Sequence, residues 1–506
     1  MCIRFTFSTI CLCLILTSAT NTSSQSRTEL SEKSYLRARQ VLESGIRALG
    51  GSEAFRNAED ISIKFSGQAF EQGQSGNPEA AYYVRREEGT RIIDIRGNRS
   101  SLESKTNYRG GDEYWGRQVL NDKSGFTIDL TTRMVYPIAS SAVNSRARSI
   151  QRLFPHLLLQ EVSSRAETLR WLGNGPNGEE VITFADAGGG QSALYFDPQT
   201  KLLTKYESLG DDPVFGDVLR ETLFADYREV AGLKIPVRNS FRYAGDLVSD
   251  LRYDEIKVNT HPGADVFQVP ADFAQGPETL GPFSPALTKL AEGVYFVNGI
   301  SAGAVWFYSQ LVVIFRDYVL VVESPLNNGV SRGVMAKIKE VAPEKPIKYV
   351  VPTHYHFDHL GGIRAYIARG ATVVTTPGNK ALIERIAGAP HTFRPDDLLT
   401  GVPKPQIETF TGKKVISDGE MSLELYDVGP SPHVDEMVII YLPREKVLFV
   451  TDLCMTRVTG KIPPRSQTNI DFVEKLRQLN LQVETIANGH GWVGTMTQLR
   501  ESLERK

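Results

Sequence analysis

The stretch YVVPTHYHFDHLGG, Tyr349 to Gly362, puts three of the chain's eight histidines within six residues and sets an aspartate among them. It continues the apolar run IKYVV and leads into GGIRAYIARG, which reads as a helix, so the cluster stands where a buried strand ends. In extended backbone, residues two apart point the same way, and His354, His356 and Asp358 are expected to converge on one point. His359 falls near the first helical turn, directed to an adjacent point. Gly361 and Gly362 are expected to remove side-chain bulk where that helix presses on a loop. Imidazole nitrogen and carboxylate oxygen suit zinc at about 2.0–2.2 Å. A lone histidine is ordinarily solvated or packed; three with an aspartate in this register read as metal ligands.

Around the cluster, strand-like runs (GVYFVNG, ATVVTTP, MSLELYDVG, EMVIIYLP, KVLFVTD) alternate with helical ones such as GVSRGVMAKIKEVAP. That is an α/β domain over residues 287–506. It offers three more donors: His433 after LYDVG, Asp452 after KVLFVT, and His490 between two glycines. Each is weak alone, but together they complete what a strand-end metal site needs.

THYHFDH, followed by His, Asp and His in this order, resembles the H-x-H-x-D-H motif of the metallo-β-lactamase superfamily over about residues 287–500. The resemblance implies a four-layer αβ/βα sandwich with metals in a cleft at the edge of two sheets. It implies a first metal on His354, His356 and His433, and a second on Asp358, His359 and His490, with Asp452 bridging both. Two Zn2+ per chain are expected, with iron or manganese as alternatives. The activity implied is hydrolysis of an ester, lactone, thioester or amide in a small-molecule substrate, by a hydroxide held between two ions. Asp358 would be the catalytic residue that fixes its direction. Where many β-lactamases of the family carry Cys or Ser, this chain carries Asp452, as the broader hydrolases do, so β-lactamase is an alternative reading. His356 departs from the H-x-E-x-D-H of the di-iron reductases in the same superfamily. Cys454 reads as a small buried hydrophobe, and His156, His261 and His391 as packing or surface residues.

The first half has another rhythm. EKSYLRARQVLESGIRALGG is an amphipathic helix with Leu42, Ile46 and Leu49 on one face and a glycine stop. Then period two takes over: ISIKFSG turns Ile61, Ile63 and Phe65 inward, and short turns at Asp197-Pro198, Ala231-Gly232 and Ala244-Gly245 separate successive strands. Residues 27–270 therefore form an α+β, mostly antiparallel domain. Its layout resembles the half-barrel of periplasmic lipoprotein carriers, which implies an apolar concave surface for an acyl ligand. A carrier with an accessory metal domain is thus a second functional class. Pro277, Pro282 and Pro285 mark residues 271–286 as the linker.

MCIRFTFSTICLCLILTSAT has Arg4, an apolar run from Phe5 to Leu16 and small residues to Ala19, the layout of a signal peptide over residues 1–19. The run is short of the roughly 20 residues that span a bilayer. A secreted or periplasmic protein without a transmembrane span after cleavage is expected; an uncleaved anchor is the alternative. Cys2, Cys11 and Cys13 would leave with the leader, so Cys454 would have no internal partner. With 23% charged residues and a formal net charge of -2, nothing invites nucleic acid.

Overall fold

The period-two pattern of the first half folds as one open sheet of fourteen strands. The structure, a computed structural model, describes residues 25–107, 113–186, 188–281, 283–301, 307–399, 404–455 and 466–504. The expected signal segment lies outside them. The strands Gly216–Val230, Leu233–Tyr243 and Asp246–Val258 are joined by Ala231-Gly232 and Ala244-Gly245. All four turn residues have positive φ, as two-residue hairpin loops matched to strand twist require. At the turn before Leu203–Asp212, the Asp197 carboxylate accepts from the backbone N–H groups of Gln199 and Thr200. The first strand, Asp60–Glu71, lies inside the sheet between Tyr83–Asp94 and Asp246–Val258. Its Ile61, Ile63 and Phe65 are buried against Leu233, Ile235 and Phe154.

The helix Gln25–Ala48 places Val41 and Leu42 against Phe184, Leu194 and Phe196 of this sheet. A Cβ at Gly45 would collide with the Phe196 ring, so the helix lies close. Two further helices, Ser140–Gln151 and Pro155–Ser163, interrupt the strands where only period two was expected. Within Ser140–Gln151 only Val143 is buried, so no apolar stripe announces that helix. Pro155–Ser163 opens on a proline and buries Leu158, Leu159 and Val162 in the same cluster as Gln25–Ala48. Gln25–Ala48 and Pro155–Ser163 cover the apolar face over the strands from Glu180 to Phe224, part of the surface the carrier resemblance would leave for an acyl chain. A groove of about 530 Å³ elsewhere on the sheet has a mixed lining, with Lys64, Glu88, Glu103 and Arg117 beside Phe65 and Trp115.

Residues Ala274–Gln275 of the proline-rich stretch pair in parallel with Met134–Ile138, so that stretch runs along the edge of the first sheet. Beyond it stand two sheets, one of seven strands from Ala286–Ala291 to Ile407–Thr409, one of six from Lys413–Ser417 to Val493–Thr495. Val313, Phe315, Val322 and Val351 of one meet Leu425, Ile440 and Phe449 of the other in a shared apolar layer. The opposite faces pack on helices: Asn328–Val341 supplies Val334 and Ile338, and Gln467–Gln478 supplies Phe472 and Leu476. Strands apolar on both faces are what a sheet buried on both sides demands. The result is the four-layer αβ/βα sandwich.

Candidate metal centre

The strand Ile347–Val351 stops three residues before His354, because Pro352 offers no N–H to continue the ladder. His354 and His356 lie on the loop that follows, and Asp358 shares the helical turn Phe357–Leu360 with His359. This corrects the expected convergence of Asp358 with His354 and His356 by strand alternation. Asp358 instead groups with His359 and His490, while His354 and His356 group with His433. The turn is pressed home as expected: a Cβ at Gly361 would collide with the Leu326 carbonyl, and one at Gly362 with Ser331 Oγ. His433 follows the strand Ser422–Asp427, Asp452 follows Val447–Val450, and His490 follows Thr485–Asn488.

All seven side chains meet. His354 Nε2 is 3.3 Å from His433 Nε2, and His359 Nε2 is 3.0 Å from His490 Nε2. Asp358 Oδ2 lies 3.5 Å from His359 Nε2 and 3.7 Å from His490 Nε2. Asp452 stands between the groups, with Oδ1 at 3.2 Å from His490 Nε2 and 3.4 Å from His433 Nε2. Its Oδ2 is 3.2 Å from His359 Nε2 and 3.7 Å from His354 Nε2.

Several supporting residues escaped the sequence reading. Glu323, buried at the end of the strand Val319–Val322, holds His359 Nδ1 at 2.6 Å and accepts from the Thr353 N–H at 2.8 Å. A lone acid closing the wholly apolar run VLVVE was the readable signal. Tyr308 donates to Asp358 Oδ2 at 3.1 Å, and Thr353 Oγ1 lies 3.0 Å from His354 Nδ1. From the first domain, Gln74 Nε2 donates to Asp358 Oδ1 at 2.7 Å, and His356 Nε2 lies 3.0 Å from the Ser75 carbonyl oxygen. Of the other histidines, His156 is buried on the Leu49 carbonyl, His391 is buried beside Asp211, and His261 lies near Glu59. Burial pushes the Cys454 thiol up to about 12, far from a ready thiolate.

The charges suit a cation. Burial keeps His354 neutral, its pKa well below the ordinary range, and neighbouring imidazoles add to the effect. Burial likewise brings His356 to about 3 and lowers His433. For Asp452 burial opposes ionisation, but His490, His433 and His359 outweigh it and hold the carboxyl well below its usual value. Asp358 is lowered in the same way by His359 and His490. His359 goes the other way: Glu323, Asp358 and Asp452 overcome its burial and raise it well above 6.5. The carboxylates of buried Glu323 and half-buried Asp358 and Asp452 therefore gather positive charge, and Asp452 Oδ2 makes no well-directed hydrogen bond. Neutral imidazoles at His354, His356 and His433 and ionised carboxylates at Asp358 and Asp452 are the protonation states that metal binding needs, whereas His359 must give up a proton to a cation. The donors fit zinc, and iron or manganese as well.

A family model described as the metallo-beta-lactamase superfamily matches residues 328–490. The C-terminal half of the chain thus carries a metallo-β-lactamase superfamily domain, matched over those residues. Among solved structures, the chain is similar to a metallo-beta-lactamase from Pontibacter korlensis, with 22% identity and a TM-score of 0.34 over 44% of this chain and 98% of that one. It is also similar to the metallo-beta-lactamase FIM-1 from Pseudomonas aeruginosa in the mono-zinc form, with 16% identity and a TM-score of 0.34 over 44% of this chain and 93% of that one.

Proposed function

We propose that the chain is an exported hydrolase with two metal ions, most simply zinc, that cleaves an ester, lactone, thioester or amide. The superfamily domain supports metal-dependent hydrolysis. The observation that carries the two-ion reading is Asp452, whose two oxygens lie 3.2–3.7 Å from imidazole nitrogens of both groups. Ions bound there would supply Lewis acidity toward a water and toward the substrate's electrophilic oxygen. The chain's residues do the rest. His354, His356 and His433 form one nitrogen triad; His359, His490 and Asp358 form the other; Asp452 belongs to both. Glu323 holds the proton on His359 Nδ1, which leaves Nε2 as the donor atom. Asp358, ionised and braced by Tyr308, is the acceptor that fixes the nucleophile's direction.

Elemental analysis of the purified chain should find about two transition-metal ions. A screen against esters, lactones, thioesters and β-lactams should find hydrolysis that a chelator abolishes and zinc restores. A chain that takes up no second ion, or whose hydrolysis survives chelation, would sink the reading.

A further inference from the structure

The connection between the strands Asp60–Glu71 and Tyr83–Asp94 belongs to the first domain, yet it reaches the metal centre of the second and touches one residue of each triad. A carbonyl oxygen only accepts, so the Ser75 contact puts the His356 proton on Nε2 and leaves Nδ1 as the lone pair for a cation. At Asp358, the Gln74 amide occupies Oδ1, while Oδ2 is the oxygen facing His359 and His490.

The connection is firmly seated. The Asp435 N–H donates to the Gly76 carbonyl at 2.7 Å, and Asn77 Nδ2 donates to Asp435 Oδ2 at 2.7 Å. Gly73 rests on the ring of Phe357, the residue between His356 and Asp358, so closely that any Cβ there would collide with it. Gly73 also has φ 66, in the left-handed region that favours glycine. Phe357 packs edge-on against Phe215, from a second turn of the first domain, at 5.2 Å.

We infer that Gln74 and the Ser75 carbonyl are positioning groups of the metal centre, and that the first domain is thereby a working part of the hydrolase. This rests on the two-ion reading above. Hydrogen bonds that orient metal ligands are worth about 10–100-fold in affinity.

The test titrates cobalt(II) into the metal-free full-length chain and follows uptake, the visible absorption spectrum and the melting temperature. Gln74→Met keeps the length of the side chain without its donor, and Gln74→Ala removes both. Each should weaken the second ion about 10–100-fold. Each should also change the cobalt spectrum, with the melting temperature of the metal-free chain unchanged. Gly73→Ala, which displaces the whole connection from Phe357, should weaken both ions. Wild-type affinities and spectrum in both Gln74 variants would overturn the inference, as would a loss matched by an equal fall in metal-free stability. If the wild-type chain itself binds fewer than two cobalt ions, the two-ion reading fails first and is recognised as the cause.

Discussion

Asp452 is the residue on which the two triads depend together, and its loss should differ in kind from the loss of any single histidine. Asp452→Ala removes a carboxylate that faces His354 and His433 on one side and His359 and His490 on the other. Metal analysis should find both ions weakened and hydrolysis reduced by at least about a hundredfold, with the fold kept by the sheets' own cores. His490→Ala should leave nearer one ion, because His354, His356 and His433 keep their triad. Two ions and full activity in Asp452→Ala would make the bridging assignment wrong. The seven donors were legible because their types and order carry the pattern. Tyr308 and Gln74 were not, since tertiary contact alone brings them to a residue 50 and 284 positions away, and Glu323 showed only as an acid after an apolar run, its partner His359 36 positions on being set by the fold. The placing of Asp358 failed for a local reason: the helix begins one residue before it, so strand alternation no longer applies.

At the scale of elements, the short helix Ile363–Ile367 shows what periodicity hides. Arg364, a charged residue within GGIRAYIARG, is 1% exposed. Its guanidinium pairs in two-pronged fashion with Asp396, at 2.7 and 2.9 Å, and donates to the carbonyls of Ile386 and Ala387 at the end of Lys380–Gly388. One side chain thus ties two helices to the Asp396 turn. Burial opposes ionisation of Asp396, but its hydrogen bonds and charge contact with Arg364 bring it to about 2. A carboxyl depressed in the folded state stabilises above its unfolded value of about 3.9, and that stability is lost as pH falls toward 2. Asp396→Ala leaves the guanidinium buried without its partner, at a cost of about 3–5 kcal/mol. Denaturant melts from pH 7 to 2 should show this loss at neutral pH and a shallower fall below pH 4. An unchanged midpoint at neutral pH would reject the pair as a structural tie. The hairpins were legible because glycines after alanine mark their turns. Ser140–Gln151 was not, because Val143 is its single fully buried residue and the rest of its packing is partial, by Ala142, Ala147 and Ile150.

For the whole molecule, the layout of residues 1–19 leads to a simple expectation: native protein begins near Thr20 and is recovered outside the cytoplasm. N-terminal sequencing decides it, and an intact Met1 in a cytosolic fraction would count against export. Among the described residues no helix is long and apolar enough to cross a membrane. The two domains are joined at more than the Gln74 connection. At the turn between Leu203–Asp212 and Gly216–Val230, the Asp217 N–H donates to the Pro390 carbonyl at 2.6 Å. The Asp217 carboxylate accepts from the N–H groups of Thr392 and Phe393, and His391 lies 2.8 Å from Asp211. Gly216, at φ 78, sits so close to Pro390 that a Cβ would strike its carbonyl oxygen. Domains of one chain move relative to each other unless such an interface holds them. Wild-type chain should therefore unfold in one calorimetric transition. Gly216→Val with Asp217→Ala should split it into two, since each domain keeps its own core while the seat between them is lost. The same double variant should loosen the Gln74 connection and weaken metal binding without touching a ligand. If it melts as one unit at the wild-type temperature and holds metal as tightly, this turn does not couple the domains, and the contacts of the 71–83 connection with Asp358, His356, Phe357 and Asp435 must do so.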